Sequence, residues 1–132
     1  MKYFVALGFL IFTLNSQAQT QLEQNLSAFD EFKLADKNLN ITYNKVIKMH
    51  SIDTLFVKNL RISQRLWVKF RDAEMAMKYP EYGGAHYGSM QPFCAAEYKT
   101  KLTKERTKRL YEWVIGVEDG SICSGSARNN GL

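Results

Sequence analysis

The side chains in this sequence that could support catalysis are two cysteines, two histidines and two nearby carboxylates. A thiol such as Cys94 can act as a nucleophile beside an imidazole such as that of His86. Asp72 and Glu74 are two residues apart, so on a helix their carboxylates point in different directions and do not flank one bond. Two thiols are too few for a structural zinc site, and no glycine-rich phosphate loop follows a strand pattern. The sequence therefore predicts no enzyme, no cofactor and no metal site.

A tryptophan and several charged residues in the middle of the chain follow an order that helix packing does not require. Trp67 and Arg71 are four residues apart, which lets the guanidinium cover the indole ring. Asp72 is expected to pair with Arg106 or Arg109 of a later helix. We interpret the set as a helix-stabilising polar network, with direct contact to a ligand as the alternative. The network is predicted to comprise Asn40, Tyr43, Gln64, Arg65, Trp67, Arg71, Asp72 and Arg106.

A loop rich in glycine and tyrosine, within residues 80–92, is a candidate recognition surface. Loops carry binding residues disproportionately, tyrosine contributes a large contact area, and glycine lets the backbone approach a partner closely. The alternative is a long connector whose tyrosines fold under onto the helices. The predicted partner-binding residues are Tyr82, Gly83, Gly84, His86 and Tyr87.

A row of lysines lies further along the chain, at Lys101, Lys104 and Lys108. The spacing puts the three ammonium groups on one side of a helix. Such a row is either a solvated face or a contact for an anionic polymer.

The elements that position these residues are three helices, predicted over residues 22–50, 53–79 and 91–114. The first has room for a break near residues 36–40. In the second, a line of apolar residues at helical spacing predicts the core face. That line comprises Leu55, Ile62, Leu66, Phe70, Ala73 and Met77. The sequence predicts an all-α fold, either a small antiparallel bundle or an elongated hairpin, over residues 19–115, followed by an irregular tail over residues 116–132.

The first 18 residues have the pattern of a secretory signal peptide. Lys2 precedes an apolar run over residues 4–14, and small residues lead to a cleavage site after Ala18. The alternatives are a membrane anchor or a buried helix, but the run is shorter than the 20 or so residues that cross a bilayer. We expect a periplasmic or secreted protein that does not span the membrane.

The chain is basic, with a formal charge of +5 that becomes +4 when Lys2 is removed. In a periplasm, anionic envelope polymers, phospholipid headgroups or acidic proteins suit this charge better than nucleic acid does.

The two cysteines, Cys94 and Cys123, predict a disulfide, because an even count in an exported chain favours pairing. The residues after Trp113 are numerous enough to reach back along the third helix to Cys94, provided that the tail folds back.

Four short segments carry a resemblance to the LprI-like family. Residues 39–46 (LNITYNKV) resemble the family element LNxxYxxL, and residues 63–74 (SQRLWVKFRDAE) resemble AQRxWxxFRDxEC. Gly83-Gly84 matches a glycine pair, and Cys94 with residues 102–110 (LTKERTKRL) is similar to the final element, a cysteine followed by LTxxRxxxL. Met75 stands where the family usually has the cysteine that bridges the one matched by Cys94, so Cys123 becomes the candidate replacement.

The resemblance implies an exported, all-helical envelope protein, in a family named for a lysozyme-inhibiting lipoprotein. The expected function is non-enzymatic binding of a lysozyme, another muramidase or another envelope protein. The alternative is a structural or immunity-type module that binds an anionic cell-wall polymer or a toxin.

Overall fold

The computed structural model of this 132-residue chain describes residues 2–117 and 122–127. Three helices make up most of it: α1 is Lys2–Met49, α2 is Thr54–Lys78 and α3 is Gln91–Ile115. A short 3₁₀ helix, Ile122–Ala127, follows and is broken at Gly125. The described part of the chain contains no β-strand, so the predicted all-α class is confirmed. Searched over the same residues, no helix combines the length and the apolar composition needed to cross a bilayer.

The helices run up, down and up, with α1 beside α3. Near one end of the bundle, His50 Nε2 lies 3.2 Å from the carbonyl oxygen of Trp113. Lower down, Lys104 Nζ lies 3.8 Å from a carboxylate oxygen of Glu31, so α1 and α3 are parallel. Because the connection between α1 and α2 is short, α2 runs antiparallel to both. Of the two predicted arrangements, the structure adopts the bundle.

Small and β-branched side chains form the contact between α1 and α3. Positions on each helix alternate in steps of four and three, as in a coiled coil. Thr103 is 0% exposed, yet its hydroxyl is satisfied because it donates to the carbonyl oxygen of Lys99 at 2.8 Å. The contact residues are Ala28, Phe32, Ala35, Leu39, Thr42 and Val46 on α1, and Ala96, Thr100, Thr103, Thr107, Leu110 and Val114 on α3.

The main apolar core lies toward the end of the bundle at which α1 meets α2. Leu39, Val46, Leu60 and Leu110 are buried together there. Burying each such side chain stabilises the fold by roughly 1.5–3 kcal/mol. Partly buried apolar residues, including both tryptophans, pack around them. These residues are Tyr43, Ile47, Phe56, Trp67, Trp113 and Val114.

The helix ends follow local sequence signals closely. Asp53 caps α2, because its carboxylate accepts a hydrogen bond from the backbone N–H of Phe56 at 2.9 Å. Pro80 follows the end of α2, and Gly116 ends α3 with φ of 74°. The break considered near residues 36–40 does not occur, because α1 continues as one helix to Met49.

The prediction of which face of α2 packs into the core is wrong. Its apolar line lies on the outside of the bundle, and the face that packs inward is the one that carries Leu60, Gln64, Trp67 and Arg71. Helical spacing shows which residues share a face, but it does not show which face packs. The exposed fractions are 67% for Leu55, 39% for Ile62, 59% for Leu66, 55% for Phe70 and 68% for Met77, and Ala73 is also exposed.

Part of the predicted irregular tail is ordered against α3. The backbone N–H of Val117 donates to the carbonyl oxygen of Ala127 at 2.9 Å. The indole N–H of Trp113 donates to Ser126 Oγ at 3.0 Å, which fixes the 3₁₀ helix beside the end of α3. Residues 118–121 and 128–132 of that tail lie outside the described residues.

Candidate partner-binding site

Arg71 is the centre of the polar contacts inside the bundle. The residue is 8% exposed; its Nη1 lies 3.4 Å from Asp36 Oδ1, and its Nε donates to Asp72 Oδ1 at 3.1 Å. Its guanidinium carbon lies 5.3 Å from the centre of the Trp67 ring and 5.8 Å from that of Phe32. The predicted cover of Trp67 by Arg71 is therefore present. Asp72 pairs with its neighbour Arg71 instead of with an arginine of α3.

Arg106 of α3 also approaches the Trp67 ring. Its Nε donates to Gln64 Oε1 at 3.0 Å, and its Nη2 donates to Ser63 Oγ at 3.0 Å. Its guanidinium carbon lies 5.9 Å from the Trp67 ring centre, so two guanidinium groups lie within cation–π distance of the indole. Burial lowers the pKa of Arg106, and the charge of Arg109 lowers it further.

The remaining members of the predicted network lie at its edge or outside it. Asn40 Nδ2 donates to the backbone oxygen of Asp36 at 2.9 Å and to its carboxylate at 3.2 Å, which orients the partner of Arg71. Tyr43 packs against the apolar core. Arg65 is exposed on the outside of α2 and does not join the network. The structure thus brings most of the predicted residues together as a link between the helices.

The carboxylates considered for catalysis, Asp72 and Glu74, are both engaged in hydrogen bonds to other side chains. Glu74 Oε2 accepts a hydrogen bond from the Tyr98 hydroxyl at 3.0 Å, which joins α2 to α3. This hydrogen bond raises the pKa of Tyr98, and partial burial and the charge of Glu74 raise it further. Asp72 accepts a hydrogen bond from Arg71, so the carboxylates of Asp72 and Glu74 have different partners and do not face each other as a pair.

The loop after α2 is exposed and packs on itself. The rings of Tyr82 and His86 lie 4.8 Å apart, those of His86 and Tyr87 also 4.8 Å apart, and Tyr79 meets Tyr87 edge-on at 5.6 Å. The Tyr87 hydroxyl donates to the carbonyl oxygen of Pro80 at 3.1 Å. Partial burial raises the pKa of Tyr87, and Tyr82 and Tyr79 raise it further.

Glycines make this loop shape possible. Gly83 and Gly84 have φ of 80° and 60°, in the left-handed region that favours glycine. Nothing lies within 4 Å of the position that a Cβ would occupy on either residue. The turn therefore presents open backbone, with Tyr82 beside it and 66% exposed. The loop tyrosines do not fold under onto the helices as a group: Tyr82, His86 and Tyr87 contact one another at the surface, Tyr82–His86 and His86–Tyr87 edge to face.

A cleft of about 400 Å³ between α2, α3 and the 3₁₀ helix lies at the opposite end of the bundle from this loop. Its floor is apolar, and Arg106 reaches its edge. Sequence reasoning missed it, because the position of Ser126 beside Trp113 depends on the fold of the tail. Its lining comprises Asp53, Leu55, Phe56, Asn59, Leu60, Ser63, Arg106, Leu110, Trp113 and Ser126.

The predicted lysine row on α3 is exposed at all three positions. Lys104 approaches Glu31 of α1, and the same outer face of α3 carries glutamates at positions 97, 105 and 112. Opposite charges at helical spacing offset each other, so this face has mixed charge.

The predicted disulfide between Cys94 and Cys123 is not formed. Cys94 lies in the first turn of α3, and Trp113 lies about 28 Å further along the helix at 1.5 Å per residue. Cys123 is three residues from Ser126, which contacts Trp113, and three residues span at most about 10 Å. The two cysteines therefore lie toward opposite ends of α3, and a disulfide needs α-carbons within about 7 Å.

These features define an all-helical protein whose inward polar residues link its helices and which exposes an aromatic loop. The family model described as "Lysozyme inhibitor LprI" matches residues 14–110. The chain belongs to this family. It is also 28% identical over 114 residues to an uncharacterized protein of Rhizobium meliloti strain 1021, a match that covers 78% of this chain and 80% of the relative. No solved structure matches.

Proposed function

We propose that this chain is an exported envelope protein that binds a lysozyme or another muramidase through the loop between α2 and α3 and inhibits it without chemistry of its own. The observation that carries this proposal is the self-packed aromatic loop on a helical scaffold. The description of the family as a lysozyme inhibitor supports the class of partner. The apolar run near the N-terminus supports export.

The loop suits recognition because its aromatic side chains are held before a partner arrives. Edge-to-face contacts of Tyr82 with His86 and of His86 with Tyr87 limit the rotamers that binding would otherwise have to order. Tyrosine contributes a large contact area at a low entropic cost. The open backbone at Gly83 and Gly84 lets a partner surface come close.

The charge of the loop also differs from that of the whole chain. Residues 79–90 carry one acidic side chain, Glu81, and no lysine or arginine, whereas the chain has a formal charge of +5. Lysozymes of animal type are basic, so a basic surface would meet them against repulsion. A near-neutral aromatic loop avoids that repulsion at the point of contact.

The test is clearing of cell-wall suspensions by several lysozymes in the presence of the purified chain and two variants. Tyr82→Ala removes an exposed ring from the loop, and Tyr111→Ala removes an exposed ring from α3, near the other end of the bundle. We expect inhibition by the wild type, weaker inhibition by Tyr82→Ala at about tenfold or more, and little change for Tyr111→Ala. If the chain neither inhibits nor binds any lysozyme at micromolar concentration, a muramidase is not its partner. If both variants lose inhibition equally, the loop is not the binding site.

A further inference from the structure

The outer side of α2 carries an apolar row that nothing in the described part of the chain covers. The row runs from Leu55 to Met77, about 33 Å at 1.5 Å per residue, and it lies within about 80° of arc around the helix. Monomeric soluble proteins rarely leave so extended an apolar surface without a partner. We define this outer row as Leu55, Ile62, Leu66, Phe70 and Met77.

A row of cations borders the outer row on one side. Lys58, Arg61, Arg65 and Lys69 are all exposed, and none of them forms an ion pair within the described residues. The two acidic side chains of α2 do not pair with these cations, because Asp72 accepts a hydrogen bond from Arg71 and Glu74 accepts one from Tyr98. Asp72 lies at the far end of the same face, but from Lys58 to Lys69 this face carries cations only, in contrast to the mixed-charge face of α3.

The cations also surround a shallow depression of about 350 Å³ beside the outer row. Two hydroxyl groups and three cationic side chains lie around it, which is the donor chemistry that a phosphate group needs. Ile62 belongs both to this lining and to the outer row, so a bound phosphate would lie directly beside apolar side chains. The depression is lined by Ser51, Thr54, Val57, Lys58, Arg61, Ile62 and Arg65.

From this arrangement we infer that α2 is an interfacial helix that docks on an anionic phospholipid bilayer, with its outer row in the acyl boundary and its cations on the headgroup phosphates. An apolar stripe beside a cationic stripe is the pattern of helices that lie in a membrane surface. A lipid surface accepts a long convex row of flexible side chains, whereas a protein partner would need a matching groove. A second copy docked antiparallel through the same row would place both cationic rows on one side of the pair, where they repel.

The test is cosedimentation of the full chain with vesicles of phosphatidylcholine alone or of phosphatidylcholine mixed with phosphatidylglycerol. The decisive variant is Lys58→Glu/Arg61→Glu/Arg65→Glu on α2, and its matched control is Lys101→Glu/Lys104→Glu/Lys108→Glu on α3. Both make the same change in net charge, and the apolar N-terminal run is common to every variant. The anionic lipid should tighten binding of the wild type and of the α3 control by about tenfold or more, because Lys and Arg side chains near an anionic surface are attracted to it. The α2 reversal should lose that gain.

The apolar part of the inference has its own pair of variants. Leu66→Ser/Phe70→Ser changes the outer row, and Leu34→Ser/Ile41→Ser changes two comparably exposed residues of α1. Only the α2 pair should weaken binding to anionic vesicles, and circular dichroism should show that both pairs remain helical.

Four results would overturn the inference: equal losses in the α2 and α3 reversals, equal binding to neutral vesicles, displacement by inorganic phosphate alone, or a dimer that the Leu66→Ser/Phe70→Ser change dissociates. Vesicle binding and lysozyme inhibition are separate readouts. Loss of one leaves the other standing, since Tyr82→Ala does not touch α2.

Discussion

The two sides of α2 reverse the usual division between core and surface. Gln64, Trp67 and Arg71 face α1 and α3, while Leu66 and Phe70 face outward. The inward side works because Arg71 has a carboxylate partner on α1 and Gln64 accepts from Arg106 of α3. Buried polar groups stabilise a fold only when they are paired in this way. The outward side carries exposed apolar residues that no neighbouring helix of the described chain covers. The difference shows that specific polar pairing can decide which side of a helix packs.

The inward contacts also fix the position of α2 along its neighbours. Arg71 meets Asp36 of α1, and Arg106 of α3 meets Gln64. A slide of one helical turn, about 5.4 Å, would break both contacts. Apolar packing alone tolerates such a slide better, because it is less directional.

The largest expected effect is on the inward side, at the Trp67 indole, which contacts the guanidinium groups of Arg71 and Arg106. Trp67→Ala should lower the free energy of unfolding by about 3 kcal/mol, because it removes packing and two cation–π contacts. Phe70→Ala, on the outward side, should lower it by about 0.5 kcal/mol or less. Urea unfolding followed by circular dichroism measures both values, and equal losses would contradict the orientation of α2.

A smaller effect is expected for the ion pair between α2 and α1. In a double-mutant cycle, Arg71→Met and Asp36→Ala should show a coupling free energy of about 1 kcal/mol, because Arg71 is buried and Asp36 is half-exposed. The matched control is the exposed pair of Lys33 and Asp30, for which the coupling should be about 0.3 kcal/mol. A coupling between Arg71 and Asp36 no larger than that of the control would show that the pair does not hold α2 in place.

The smallest effect is a loss of stability at alkaline pH. The pKa of Tyr98 is raised in the folded state by its hydrogen bond to Glu74, so the folded chain keeps this proton longer than the unfolded chain does. The free energy of unfolding should therefore fall as pH rises above about 10, the ordinary pKa of tyrosine. Tyr98→Phe should flatten this fall in urea unfolding between pH 9 and 11 or so. An unchanged slope would mean that the Tyr98–Glu74 bond does not contribute.

Sequence reasoning succeeded wherever a local residue sets the backbone. Asp53, Pro80 and Gly116 mark helix ends that the structure reproduces to within a residue or two. The helical spacing of Trp67 and Arg71 likewise predicted their contact. These features depend on the neighbouring residues in the chain.

The structure differs from the sequence-based prediction mainly where the outcome depends on a partner distant in sequence. Thr100 and Thr103 look polar, yet they are buried because their hydroxyls bond to their own helix and their small size lets α1 approach. The apolar line of α2 looked like the core face because the polar partners of its other side, Asp36 and Arg106, lie on other helices. The predicted disulfide between Cys94 and Cys123 is not formed, because the tail packs beside Trp113, at the end of α3 distant from Cys94.

Two Leu→Ala substitutions, one on each side of α2, test the orientation of this helix, because the same side-chain atoms are removed in both. Leu60 is 7% exposed and Leu66 is 59% exposed, and both lie within α2. In urea unfolding, Leu60→Ala should lower the free energy of unfolding by roughly 2–4 kcal/mol and Leu66→Ala by about 0.5 kcal/mol or less. A loss at Leu66 equal to or greater than that at Leu60 would place the apolar row inside the bundle and contradict both the fold of α2 and the lipid-docking surface built on it.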